Sequence, residues 1–489
     1  MWTQIKSYLK GSVEAALLGR SLRLEEYLDL DSFSENRCRL SKEMRIKAFQ
    51  IFELYENDLK EKNMWDDCDR IMDLLKKYNL RNQQADSSGG GNYYDRVYVD
   101  EIQDCTQAEI CLFFVAAGFE VQSLFLVGDP AQAVVEGVDF RFEEVRSIVH
   151  KLSQRKETLH KATSLTTNFR SHGGILNCSS AVLDILDVAF PGSVKKSHTE
   201  FCYPGPKPAY YMLDSTTGGA LLDLRDILGG NERTVVVCRD EIIDEVQSMS
   251  NDKYVWGIRV AKGLEFSDVV LVNFFHSIPS SDQRIWKLML EAELAGTTKH
   301  LMKLLQKHLQ VEMQLKLLYT GMGRSRNSLL FVETKTSVAG RAFFSWLQAK
   351  QLADPFDISS SKSERDTLTL DEWRTRGLDL ARSADGPSSI PKLIEAVKCF
   401  EKAKSAKFLH RASAELEFHL LMQRLEDREV ASTGGGSTSM TRAEEEEVAE
   451  LIETMLQNHL HAEVKILCEA VKLTTCNPAK FNQYIVLRL

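Results

Sequence analysis

Val97-Tyr-Val-Asp-Glu-Ile-Gln-Asp104 decides how this 489-residue chain is read. Three β-favouring residues run straight into two adjacent acids, Asp100 and Glu101, with Gln103 and Asp104 behind them. At the carboxyl end of a buried parallel strand, the first acid can hold Mg²⁺ through water while the second polarises an attacking water. Open α/β sheets bind ligands at that end of their strands, which puts both acids where a nucleotide would lie. The plain alternative is a strand running into an acidic turn, and the octet alone does not separate the two.

Working outward, residues 1 to about 82 carry helical patterning. Arg45 to Glu56 places Ile46, Phe49, Ile51, Phe52 and Tyr55 largely on one side of a 3.6-residue period, and Asp67 to Leu80 does the same with Ile71, Leu74, Leu75 and Tyr78. Asp86-Ser-Ser-Gly-Gly-Gly-Asn92 then reads as a flexible loop. Beyond it, short apolar runs (Val97–Val99, Leu124–Val127, Val235–Val237, Val269–Val272, Leu329–Val332) alternate with helical segments, the pattern of a parallel sheet covered by helices. Residues 280–318 are helical again, about 351–365 are polar and Ser-rich as in a linker, and the remainder is helical around a second joint, Ser432-Thr-Gly-Gly-Gly-Ser.

Composition narrows the class. Hydrophobic residues at 43% and charged residues at 27% exclude wholesale disorder, collagen and a multi-span membrane protein. Lys+Arg 61 against Asp+Glu 70 gives a net charge of −9, so phosphate contact is expected only in a local basic cleft. The longest apolar run, Ile110 to Phe119, is about half the roughly 20 residues of a bilayer span and reads as a core element. The ten cysteines are scattered without C-x-x-C, as expected of reduced thiols rather than a disulfide frame or zinc site. With no secretory signal in view, the expectation is an intracellular protein, nuclear or cytoplasmic and not secreted.

Four further stretches follow the acid pair in order: Leu124-Phe-Leu-Val-Gly-Asp-Pro-Ala-Gln132, Asn168-Phe-Arg-Ser171, Lys262-Gly-Leu-Glu-Phe266 and Leu318-Tyr-Thr-Gly-Met-Gly-Arg-Ser-Arg326. As an ordered set of five, they resemble the UvrD/Rep-like superfamily 1A DNA helicases over roughly residues 1–345. The resemblance is closest to the helicase-like region of large proteins with tetratricopeptide and ankyrin repeats. It implies ATP and Mg²⁺ as cofactors and specific roles. Asp100 would bind Mg²⁺ and Glu101 would be the catalytic base. Gln132 would sense the γ-phosphate and couple hydrolysis to movement. Arg170 and Arg324 would be arginine fingers from opposite sides of the nucleotide, and Glu265 would contact the nucleotide near its sugar or terminal phosphate. A fixed guanidinium facing the charge that spreads over phosphoryl oxygens contributes about 10³–10⁵ in rate. Taken singly, each arginine also reads as an ordinary surface residue.

The chain departs from that pattern. No G-x-x-x-x-G-K-S/T occurs, so the phosphate cradle and its lysine are not among the motifs. The sequence leaves open a fragment of a longer protein or a chain that has lost its ATPase. After Gln132 the family continues with an aromatic residue and an arginine that engage single-stranded DNA; here Ala133-Val-Val-Glu-Gly-Val138 follows. Phe140 and Phe142, at i, i+2, read more readily as core than as a substitute base-stacking platform. Gly257 and Arg259 stand where the family has Thr and His, leaving Arg259 able to hold a phosphate. Gly323 precedes Arg324 where the family prefers Thr, which is expected to loosen that arginine's support.

In the C-terminal third, Glu372-Trp373-Arg-Thr-Arg-Gly377 and Ala396-Val-Lys-Cys-Phe400-Glu-Lys-Ala403 resemble one tetratricopeptide unit, with a plain helical hairpin as the equal alternative. The expected architecture is α/β: RecA-like parallel sheets of P-loop NTPase type with helical inserts, plus an all-α tail. The expected divisions are 1–85 (helical insert of a first motor domain), 86–158 (remainder of that domain) and 159–345 (second RecA-like domain, with a helical insert near 280–318). A linker at 346–370 and a helical, TPR-like tail at 371–489 complete them. The implied function is ATP hydrolysis coupled to translocation on, or unwinding of, single-stranded or duplex nucleic acid. The alternative is a catalytically inactive helicase-like scaffold that binds a protein partner through its tail.

Overall fold

The computed structural model describes residues 1–29, 40–77, 94–152, 162–194, 200–201, 204–213, 227, 234–250, 255–305, 307–357, 370–382, 384, 389–432 and 442–474. All strand pairs among them are parallel. β1 (Val97–Val99) lies beside β2 (Leu124–Leu126), with Val97 opposite Leu124 and Val99 opposite Leu126. β3 (Thr167–Asn168) pairs with β4 (Glu200–Phe201). A six-stranded sheet takes the order β10-β5-β9-β8-β6-β7, from β5 (Ala209–Leu213), β6 (Thr234–Cys238), β7 (Val255–Gly257), β8 (Phe266–Val272), β9 (Ser325–Thr334) and β10 (Asp354–Pro355). The mixed α/β organisation with parallel sheets is the one the alternating runs predict.

Local chemistry sets these elements. Between β1 and β2 the chain must reverse and return, and it does so through helix Gln107–Ala116. Thr106 caps that helix: its hydroxyl accepts the Glu109 N–H while the Glu109 carboxylate accepts the Thr106 N–H, satisfying two orphan donors. Ile110, Cys111, Phe114 and Val115 of the apolar run are buried, as a core element requires. A core from Ile5 to Leu152 joins the N-terminal helices to β1, β2 and helix Phe142–Leu152. Phe140 is buried there and meets the Phe142 ring edge-on at 5.1 Å, so both phenylalanines belong to the core side.

One periodicity does not hold. On helix Lys42–Glu61, Phe52 is buried, but Ile46 and Ile51 are about 40% exposed. The buried stripe instead runs through Arg45, Ala48, Phe52 and Leu59, because the Arg45 guanidinium is drawn inward to the Leu40 and Leu28 carbonyls. On helix Asp67–Lys77 Leu75 is buried and Leu74 is partly exposed, while Tyr78 lies outside the described residues.

The second core surrounds the large sheet. Helices Ser280–Leu294, Thr298–Leu305 and Leu309–Met322 carry the chain from β8 to its neighbour β9. The core continues into Trp373, Leu380, Ala396, Phe400 and Ala412 of the first tail helices, so these pack against the sheet lobe rather than apart from it. Helices Leu370–Arg382 and Ser389–Lys402 meet where Trp373 is overlaid by the Lys402 ammonium, 4.2 Å from the ring centroid. The glycine joint at 433–441 and the polar stretch at 358–369 lie outside the described residues.

Glu333, near the end of β9, is fully buried, and its carboxylate accepts the N–H groups of Phe275 at 2.6 Å and His276 at 3.2 Å, tying down the turn after β8. Burial pushes this carboxyl up to about 8 against those backbone bonds. The folded-state value lies above the ordinary 4.5, so the group's contribution is fully present below pH about 4.5 and is lost as pH rises toward 8. Glu333→Gln is expected to flatten the fall in Tm between pH 5 and 8, measured by thermal denaturation beside the unsubstituted protein. An equally steep fall in both would remove Glu333 as its source.

Candidate nucleotide site

The acid pair stands at the carboxyl end of β1. Asp100 is exposed, and its Oδ1 accepts the Glu101 N–H at 2.9 Å. Glu101 adopts φ +53°, ψ +39°, left-handed for a residue with a side chain, a conformation that costs about 1–3 kcal/mol. Strain of this size persists only where the surroundings enforce it, and here the Gln103 amide donates to the Glu101 carboxylate. From β2, the loop through Asp129 to the turn Pro130–Gln132 brings Gln132 alongside.

Across from these groups stand those of the second lobe. Arg324 sits between helix Leu309–Met322 and β9 and is 1% exposed. Its Nε donates to the Thr320 carbonyl at 3.0 Å, Nη1 to the Leu264 carbonyl at 3.1 Å and Nη2 to Gln132 Oε1 at 2.8 Å. The surface-arginine reading therefore fails for Arg324, and Gly323 does not loosen it: two backbone carbonyls fix the guanidinium. Burial, with the Arg170 charge nearby, brings it down to about 10, so it remains a cation at neutral pH. Arg170 is half-exposed and pairs through Nε with Glu265 Oε2 at 2.5 Å, while Arg326 reaches the other Glu265 oxygen at 3.3 Å. Phe169, between Asn168 and Arg170, stands 75% exposed.

Two groups that sequence reasoning left without a role belong to the same cluster. Lys262 Nζ lies 2.5 Å from Asp104 Oδ2, 2.8 Å from the Gln132 carbonyl and 3.6 Å from Glu101 Oε2. Its position within a quoted motif was the available signal. Burial, with the Asp129 charge nearby, holds the Tyr319 phenol above its usual range. Burial likewise raises the Asp104 carboxyl, with Lys262 opposing. Glu101, Gln132 and Arg324 are thus brought together, and Arg170 and Glu265 form a second group joined to them by the Arg170–Arg324 proximity.

Mg²⁺ keeps most of its waters and needs one or two carboxylates besides phosphate oxygens. Exposed Asp100 suits that demand, and Asp104 Oδ1, buried and without a hydrogen-bond partner among the described residues, is an acceptor suited to a metal-bound water. These residues fit the terminal-phosphate end of a Mg·nucleotide.

Residues 20–149, which hold the acid pair and the Gln132 loop, match the UvrD/REP helicase N-terminal domain. Over those residues the chain is similar to UvrD-type helicases. It is also similar to human TPR and ankyrin repeat-containing protein 1, 32% identical over 310 residues, which is 59% of this chain and 10% of that protein. The chain spans about a tenth of that relative's length.

Arg259, which lies outside the matched residues 20–149, is not available as a simple phosphate holder. Its guanidinium bonds the Val134 carbonyl at 3.1 Å and pairs with Glu136 at 3.2 Å and Asp240 at 3.2 Å, with Glu241 at 3.7 Å. Three carboxylates face Arg259, of which Glu241 also pairs with Arg239 at 3.2 Å, so the guanidinium is already engaged and a phosphate arriving there would compete with these acids. No helix among the described residues is long and apolar enough to cross a membrane.

Proposed function

We propose that this chain forms the Mg·ATP-facing seam of a UvrD-type motor, in which hydrolysis of ATP is coupled to movement of two RecA-like lobes along nucleic acid. The observation that carries this reading is the 2.8 Å bond from Arg324 to Gln132, flanked by the Lys262 bridge to Asp104 and Glu101. Residues 192 positions apart bring a buried guanidinium against the Gln132 amide, with Lys262 beside Asp104 and Glu101, an arrangement suited to phosphoryl chemistry.

In this reading Asp100 orients the hydrated Mg²⁺, which when bound neutralises charge on the transferred phosphoryl group. Glu101, oriented by Gln103, takes the proton of the attacking water. Gln132 exchanges its bond to Arg324 for one to the γ-phosphate, which frees the Arg324 guanidinium to face the same oxygens. Arg170 approaches from the exposed side, Glu265 holds it until nucleotide arrives, and the Phe169 ring offers a flat apolar surface to a base. Nucleic acid is the partner that the family similarity supports, reached away from the acid-ringed Arg259. The tail, TPR-like in its first two helices, is the surface for a protein partner.

Asp100→Asn tests the metal assignment. It is expected to raise the Mg²⁺ concentration needed for half-maximal binding of a fluorescent ATP analogue about tenfold, while leaving Tm unchanged. An unchanged Mg²⁺ requirement would remove Asp100 from the site. A scaffold reading gains support from one feature: the candidate groups already satisfy one another, Lys262 with Asp104 and Arg170 with Glu265.

A further inference from the structure

Gln103 is completely buried, and its side-chain amide is used at both ends. Nε2 donates to the Glu101 carboxylate, and Oε1 accepts the Asp129 backbone N–H at 2.9 Å. The partners fix the amide's orientation, since a carboxylate can only accept and an N–H can only donate. Gly128 gives the amide its room: a Cβ there would collide with Oε1. From Asp129 the chain of bonds continues. Its carboxylate accepts the Ala131 N–H at 2.9 Å and Gln132 Nε2 at 3.1 Å. Gln132 Oε1 then accepts from Arg324. The path Glu101–Gln103–Asp129–Gln132–Arg324 is unbroken and crosses from one lobe to the other.

We propose that Gln103 is a positioning residue that locks Glu101 and the Asp129–Gln132 loop into one unit, so that a change of charge or ligation at Glu101 is felt at Gln132 and Arg324. Only a neutral side chain with one donor and one acceptor at this reach serves both partners. Leucine serves neither, leaving a buried N–H and a carboxylate unpaired. Glutamate serves both when protonated, its carbonyl accepting from Asp129 and its hydroxyl donating to Glu101. Once ionised it faces Glu101 as a second anion and the bond to Glu101 is lost. The significance for catalysis rests on the nucleotide reading above; the coupling itself does not.

The test is hydrogen exchange at residues 124–132 in the nucleotide-free 489-residue protein, corrected for intrinsic exchange and referenced to helix Val338–Ala349 as a control for folding. Gln103→Leu is expected to speed exchange at the Asp129 amide about tenfold or more. Gly128→Ala, whose Cβ would displace the Gln103 side-chain carbonyl oxygen, is expected to speed exchange at the same amide. Unchanged exchange in either variant with the control helix intact would overturn the proposal. Should the leucine variant fail to fold, Gly128→Ala decides alone. Nucleotide is absent throughout, so failure here is separate from failure to bind Mg·ATP.

Discussion

Replacing Arg324 with alanine is expected to lower ATP turnover about 10³–10⁵-fold, the loss that follows removal of an arginine finger. The size of the effect comes from its setting. The guanidinium is 1% exposed, anchored by the Thr320 and Leu264 carbonyls, and already aimed at Gln132. A cation fixed in a water-poor site needs little reorganisation when charge develops on the phosphoryl oxygens. Alanine also strands two buried carbonyls, so part of any loss could come from misfolding. Arg324→Lys separates the effects. Lysine keeps the charge but cannot hold three divergent acceptors with one planar group, so turnover stays low while the fold is retained. The assay is phosphate release from a form of the protein that carries a phosphate-binding loop. Turnover within threefold of wild type in the lysine variant would reduce Arg324 to a strut.

Glu101→Gln is expected to lower turnover about 10²–10⁴-fold, the usual contribution of a positioned general base, with Mg·ATP affinity changed only a few-fold. The substitution is nearly isosteric. The new amide oxygen still accepts from Gln103, and Lys262 keeps its 2.5 Å bond to Asp104. What is removed is the proton acceptor. Binding retained with turnover lost is the signature of that role in single-turnover phosphate release. Unchanged turnover would end the assignment of Glu101 as base.

Each of the five quoted apolar runs holds a strand; those in β6, β8 and β9 are buried on both sides and read as continuous Val/Leu/Phe runs, whereas β1 and β2 leave Tyr98 and Phe125 exposed on one face. The candidate site was legible only as a set of residue types, acids, an amide and arginines in a fixed order. Their pairing was not. That Arg324 reaches Gln132, or that Lys262 bridges to Asp104, depends on two lobes meeting, and no local pattern encodes the contact between residues 132 and 324. Helix Lys42–Glu61 was misread for a related reason: a buried arginine looks polar in any periodicity count, yet Arg45 faces inward on backbone carbonyls. Arg259 looked like a spare cation because its three acids lie far from it in sequence or across a turn.

The central claim is that the seam between Gln132 and Arg324 receives a Mg·nucleotide. Titration of the 489-residue protein with a fluorescent ATP analogue, with and without Mg²⁺, tests it most directly. Saturable, Mg²⁺-dependent binding in the micromolar range that is weakened in Arg324→Lys is the predicted result. No saturable binding, or binding indifferent to both Mg²⁺ and Arg324, would contradict the account and favour a helicase-like scaffold.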